Sequence, residues 1–139
     1  MKKLLLVVLS ALALALAAPG VARAASPHEV VNNPIVCTLN ADQTVTCSGS
    51  VAGLGNQAVT VTLEVDFACA TRGNENRPGG HLQEVSDPIQ PRNGRINFSE
   101  TTGPADCPPG LNPVVGDTAT VTIRNLAGRV LFSKEVTIS

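Results

Sequence analysis

The chain has 139 residues, with ten basic and eleven acidic side chains and a formal net charge of −1. Three Phe are its only aromatic residues; Trp and Tyr do not occur. Such a chain lacks the basic stripe and stacking rings of nucleic-acid binders, and it has few of the flat rings on which sugar and peptide sites rely.

Residues 1–24 read as a secretion signal. Lys2 and Lys3 are followed by an apolar run over residues 4–18, short for a membrane span; Pro19 and Gly20 end it, and Ala22-Arg23-Ala24 has the small-x-small form of a signal-peptidase site. Cleavage after Ala24 removes 24 of the 139 residues and leaves 115, the size of one ordinary domain. It also removes three of the ten basic residues, so seven face eleven acidic ones and the net charge becomes −4. An acidic product with no second long apolar run is expected outside the cell, with the periplasm as the alternative, and without a membrane span. Residues 25–33 form a short N-terminal arm, and residues 34–139 are expected to make up a β-sandwich domain.

After a secretion signal, four cysteines predict two disulfides. Cys37 and Cys47 flank a turn centred on Asp42 between two short alternating runs. That register sets Cys37 opposite Cys47 and Leu39 opposite Val45 on one face, so a cross-strand bond is expected there. Cys69 and Cys107 are left to pair. No C-x-x-C spacing points to a metal, and no odd cysteine is left for thiol chemistry.

The clearest strand follows. Val59, Val61, Leu63, Val65, Phe67 and Cys69 alternate with Thr60, Thr62, Glu64 and Asp66, a period of two over the whole run. The segment from Ala70 to Gly80 reads as a loop, and "HLQEVS" as a weak strand. Ile96 and Phe98 mark a short strand; Ala119, Val121 and Ile123 mark a longer one. The last strand sets Val130, Phe132, Val136 and Ile138 on one face, with Lys134 on the same parity, so a bulge or a sheet edge is expected at Lys134. Turns fall at Ala41-Asp42, Gly53 to Asn56, Asn93-Gly94 and Leu126 to Gly128. Helical periodicity is not seen after the signal. The pattern predicts an all-β fold, an immunoglobulin-like two-sheet β-sandwich of about seven strands with two disulfides.

In such a sandwich, the strand ending at Cys69 lies antiparallel beside the one starting near Thr118. A Cys69–Cys107 bond would then tie the loop at 70–80 to the proline-rich loop at 103–116. Arg72, Asn74, Glu75, Asn76 and Arg77 on that end are the candidate binding residues, because braced loops lose less entropy on binding. The other end offers only the turns near Gly53–Gln57 and Asn125–Gly128, which look too small to hold much. His28 and His81 stand outside any nucleophile motif, and Glu64 and Asp66 read as a solvated pair beside Arg124. No catalytic or metal-binding residues and no cofactor are assigned.

The passage "CTLNADQTVTCSGSVAGLGNQAVTVTLEVDFACATRGNENRPGG", with the later "NGRINF", resembles small secreted bacterial β-sandwich proteins with paired cysteines and no assigned activity. The resemblance rests on turns and cysteines; it implies an extracellular β-sandwich and carries no activity. The expected function is a secreted, non-enzymatic module for extracellular or envelope binding or structural interaction, with an unidentified protein or surface as partner. Self-assembly by strand addition would use the arm "HEVVNN" or the C-terminal strand. The alternative is a small secreted protease inhibitor presenting a disulfide-braced loop.

Overall fold

A computed structural model describes residues 26–73 and 76–139. The expected signal peptide lies outside the described residues. Among those described there is no helix, and eight strands replace the expected seven: β1 (His28–Glu29), β2 (Val36–Leu39), β3 (Val45–Ala52), β4 (Val59–Ala70), β5 (Asn76–Val85), β6 (Ile96–Thr101), β7 (Asn112–Asn125) and β8 (Val130–Thr137).

They form two four-stranded sheets. In the first, β3 pairs on one side with β1 and β2, two short pieces that follow each other along its length, and also pairs with β6. The second has the order β5-β4-β7-β8, antiparallel throughout. The alternation predicted for β4 holds: Val59, Val61 and Leu63 are fully buried, and Ala119, Val121 and Ile123 of β7 join them. From the first sheet Val45, Cys47, Val51, Ile96 and Phe98 complete a single apolar core between the layers. Non-directional burial needs only that each strand turn one parity inward, and this is why the sequence pattern survives folding.

The predicted hairpin is also present. Cys37 stands opposite Cys47 and Leu39 opposite Val45, and the disulfide joins the directly paired residues at a Cα separation of 4.1 Å. Asp42 accepts hydrogen bonds from the Thr44 hydroxyl (2.6 Å) and the Thr44 N–H (3.2 Å), which fix the turn and hold the Asp42 carboxyl below its ordinary range.

One flank of the two layers is closed. Past β8 the chain leaves the second sheet and runs parallel to β2, where the Ser139 N–H donates to the Cys37 carbonyl (3.0 Å) and the Leu39 N–H to the Ser139 carbonyl (3.1 Å). Lys134, at the β8 edge, pairs with Glu29 on β1, so the expected edge is the answer at that position. The bulge falls instead at Leu131, the extra residue between the pairs Ile123–Phe132 and Arg124–Val130; it carries Val130 off the core parity and leaves it exposed. Burial pushes the Glu29 carboxyl up, but the hydrogen bonds from Lys134 and the Ile35 N–H outweigh burial and hold it below its usual value.

β1 pairs with β3 and the chain's last residues pair with β2, so each segment expected to add to another chain already has one partner within the molecule. Among the described residues β1, β5, β6 and β8 each pair with a single other strand.

Candidate functional site

The end of the molecule carrying Cys69 is more regular than the sequence suggests. The segment 70–80 is a hairpin tip rather than a long loop: β4 continues to Ala70, and β5 begins at Asn76, with Ala70 opposite Asn76 and Cys69 opposite Arg77. The proline-rich stretch is likewise shortened. β7 begins at Asn112, and Asn112 and Pro113 pair with Ala70 and Cys69. Three strands therefore run side by side out to the tip. The disulfide Cys69–Cys107, as expected from the spacing, fastens the middle strand to the connection 102–111 with a Cα separation of 5.8 Å. Cys69 is buried yet stands apart from the main core cluster, so this blade is held by its ladder and its bond more than by apolar packing.

The connection itself is pinned. The Thr102 N–H donates to the Val45 carbonyl (2.9 Å), Thr102 Oγ1 accepts from the Val45 N–H (3.0 Å), and the Leu111 N–H donates to the Pro108 carbonyl (3.1 Å). Pro108, Pro109 and Gly110 remain exposed.

Of the candidate binding residues, Arg72 is exposed in the turn and Arg77 is exposed opposite Cys69. Asn76 opens β5 at the Ala70 pair. Asn74 and Glu75 lie outside the described residues. The structure thus brings Arg72, Asn76 and Arg77 to one tip.

A level below them the sheet is creased. Across from Phe67 and Ala68, β5 carries one extra residue, Gly79, between the partners Gly80 and Pro78. On the other side, the partner of β4 jumps from Ala119 at Val65 to Val115 at Phe67. Two irregularities on either side of one strand bend the blade away from the sheet below. The bend opens a shallow pocket of about 350 Å³ lined by Asp66, Phe67, Ala68, Val114, Val115, Gly116 and Asp117.

The crease also decides the electrostatics. Glu64 and Asp66 do not meet Arg124; its guanidinium donates to Thr62 Oγ1 (3.2 Å) on the adjacent strand. The partner of the two carboxylates is His81, directly opposite Asp66 on β5. Its Nδ1 lies 2.6 Å from Asp66 Oδ1 and its Nε2 lies 3.8 Å from Glu64 Oε1. The hydrogen bond to Asp66 raises the His81 pKa above its ordinary 6.5; partial burial opposes this, and the charges of Asp66 and Glu64 add to it. Both ring nitrogens face carboxylates, so neither is directed at a nucleophilic hydroxyl as in a hydrolytic triad. The ring acts as a clasp between β4 and β5. Sequence spacing could not reveal it, because the Asp66–His81 register depends on where the hairpin turns.

A group whose folded pKa is raised stabilises the fold fully below its unfolded pKa and loses that contribution as the pH rises through the folded value. Proton NMR of the His81 ring is therefore expected to show a midpoint above 6.5, and Asp66→Asn to bring it back toward that value. An unchanged midpoint in Asp66→Asn would mean that Asp66 is not the partner.

Among the described residues no group of three or more His, Cys, Asp or Glu side chains is arranged to hold a metal ion. Two disulfides are consistent with an oxidising, extracellular compartment. Compared with known proteins, the chain matches no protein-family model, no curated protein and no solved structure.

Proposed function

We propose that the chain is a secreted, non-enzymatic module of immunoglobulin-like type, and that it contacts a protein or surface partner through the tip of its β4–β5 hairpin. The strand order supports the immunoglobulin-like reading: β5-β4-β7-β8 in one layer, β3 between β2 and β6 in the other, and a parallel bridge from β2 to the end of the chain. The observation that carries the binding role is the braced blade. Three paired strands, a disulfide and a pinned proline-rich connection brace the strand ends beside Arg72 and Arg77, and braced segments lose less entropy when a partner arrives.

Capture from an envelope extract tests this. The wild-type chain is expected to retain a specific partner that Arg72→Ala/Arg77→Ala releases; identical retention by both removes the tip from the interface.

A protease inhibitor is the second reading, favoured by the exposed Pro108-Pro109-Gly110 turn beside the Cys107 anchor. Stoichiometric inhibition in a panel of serine and cysteine proteases would select it over the first.

A further inference from the structure

At the opposite end of β4, a strand of twelve residues, lies a second pocket that the sequence does not advertise. It is built by the connection between β5 and β6. That connection follows β4, with the Ser86 N–H donating to the Val61 carbonyl (2.9 Å) and Val59 and Ile89 exchanging bonds of 2.9 and 2.7 Å. It then reverses in a two-residue turn at Asn93-Gly94. Both turn residues have positive φ, 52° and 73°, the backbone of a type I′ hairpin for which Asn-Gly is the preferred pair.

The turn places Arg92 and Arg95 directly opposite each other. Each donates its N–H to the other's carbonyl, at 2.9 and 3.0 Å, so their side chains leave the ladder on the same face. Like charges opposite one another on a ladder destabilise it. Both side chains are exposed to solvent, and among the described residues neither arginine forms an ion pair with a carboxylate. Two unpaired arginines facing each other across a ladder, on a chain expected to carry a net negative charge, are a local conflict of the kind that concentrates at functional sites.

The surroundings agree in sign. The pocket holds about 350 Å³ and is lined by Ile89, Gln90, Arg92, Arg95, Ile96 and Asn97, with no carboxylate among them. Asn97 Oδ1 accepts from the Ser50 hydroxyl, which leaves the Asn97 amide N–H groups as donors. Gln90 Nε2 is tied to the Asn56 carbonyl and steadies the rim. Ile96 is buried beneath the pocket, and the half-buried Ile89 packs on the core, so Ile89 offers a fixed apolar wall. The volume is at the lower end of the range for small-molecule sites.

We propose that Arg92, Arg95 and Asn97 bind the terminal oxyanion of a small organic phosphate, sulfate or carboxylate whose apolar body rests on Ile89. The planar guanidinium fork suits all three headgroups. The site is independent of the hairpin tip and does not require that tip to bind anything.

The test is a ¹⁵N-correlation NMR titration of the whole chain at constant pH and ionic strength, with phenyl phosphate, phenyl sulfate and benzoate as probes and phenol as the uncharged control. Saturable shifts confined to residues 89–97 are expected for at least one anionic probe, and which probe binds tightest identifies the headgroup. Arg92→Gln or Arg95→Gln should weaken that probe about tenfold or more, and the double variant should abolish saturation. The same spectra report whether each variant is folded. Arg129→Gln, an exposed arginine in the β7–β8 turn outside the pocket, should bind as the wild type does. No saturation by any anionic probe, equal binding by the double variant, or equal weakening by Arg129→Gln would each overturn the proposal.

Discussion

Joint replacement of Cys69 and Cys107 by alanine is expected to lower the stability of the oxidised protein by about 4 kcal/mol, read from urea unfolding as a lower midpoint with a steeper slope, because the freed unfolded chain exposes more surface. The bond spans 38 residues, and the entropy it removes from the unfolded chain grows with that length. Cys37–Cys47 spans only ten, and the same reasoning gives it about 3 kcal/mol. The difference in setting matters as much as the length. Cys37 and Cys47 sit within the core cluster, where neighbouring strands already hold them, whereas Cys69 stands apart from it. Losing Cys69–Cys107 should therefore also loosen the blade locally, with faster amide exchange at residues 68–70, 112, 114 and 115 than in the core strands. A loss below about 1 kcal/mol would mean that the blade and its connection are already constrained in the unfolded chain.

The second large effect is expected at Gly79. A Cβ built there would lie 2.1 Å from the Phe67 carbonyl oxygen, 2.7 Å from the Phe67 carbonyl carbon and 2.8 Å from the Ala68 Cα. All three are backbone atoms of the paired strand, so the clash is relieved only by opening the ladder where β5 carries its extra residue. Gly79→Ala should cost about 3 kcal/mol and, because it disturbs the Asp66–His81 register, should also return the His81 midpoint toward its ordinary value. Gly80 is the control. A Cβ there meets only the Phe67 ring, at 3.1 Å, and a side chain can give way. Gly80→Ala should cost less than about 1 kcal/mol. Equal losses at the two positions would show that close approach to the Phe67 backbone is not what keeps residue 79 a glycine.

These two sites show where sequence reading stopped. "RPGG" reads as a loop, yet residues 76–80 are strand. An edge strand with one neighbour has room for a residue lacking an N–H, and a bulge has a use for a residue lacking a side chain. Composition alone does not separate an irregular strand from a connection. The same bulge fixes which β5 residue meets Asp66, and hence the His81 clasp. At the far end, Asn93-Gly94 was legible as a turn, and a two-residue turn sets residues 92 and 95 face to face. The arginine pair could have been found from that rule. The pocket could not, because Ile89 reaches it only by pairing with Val59, and Asn97 is positioned by β6 lying beside β3.

The amino-acid order by itself determined the β class, the inward faces of β4, β6 and β7, the register of the Cys37–Cys47 hairpin and both disulfide pairs. Each follows from a period of two and from contacts close in sequence or left by elimination. Tertiary structure alone decided the crease at Phe67, the partner of Glu64 and Asp66, the closure of β2 by the chain's last residues, and the placing of Ile89 and Asn97 beside the two arginines. Those features depend on register between segments far apart in the chain, and a shift of one residue in a ladder reverses every side chain that follows.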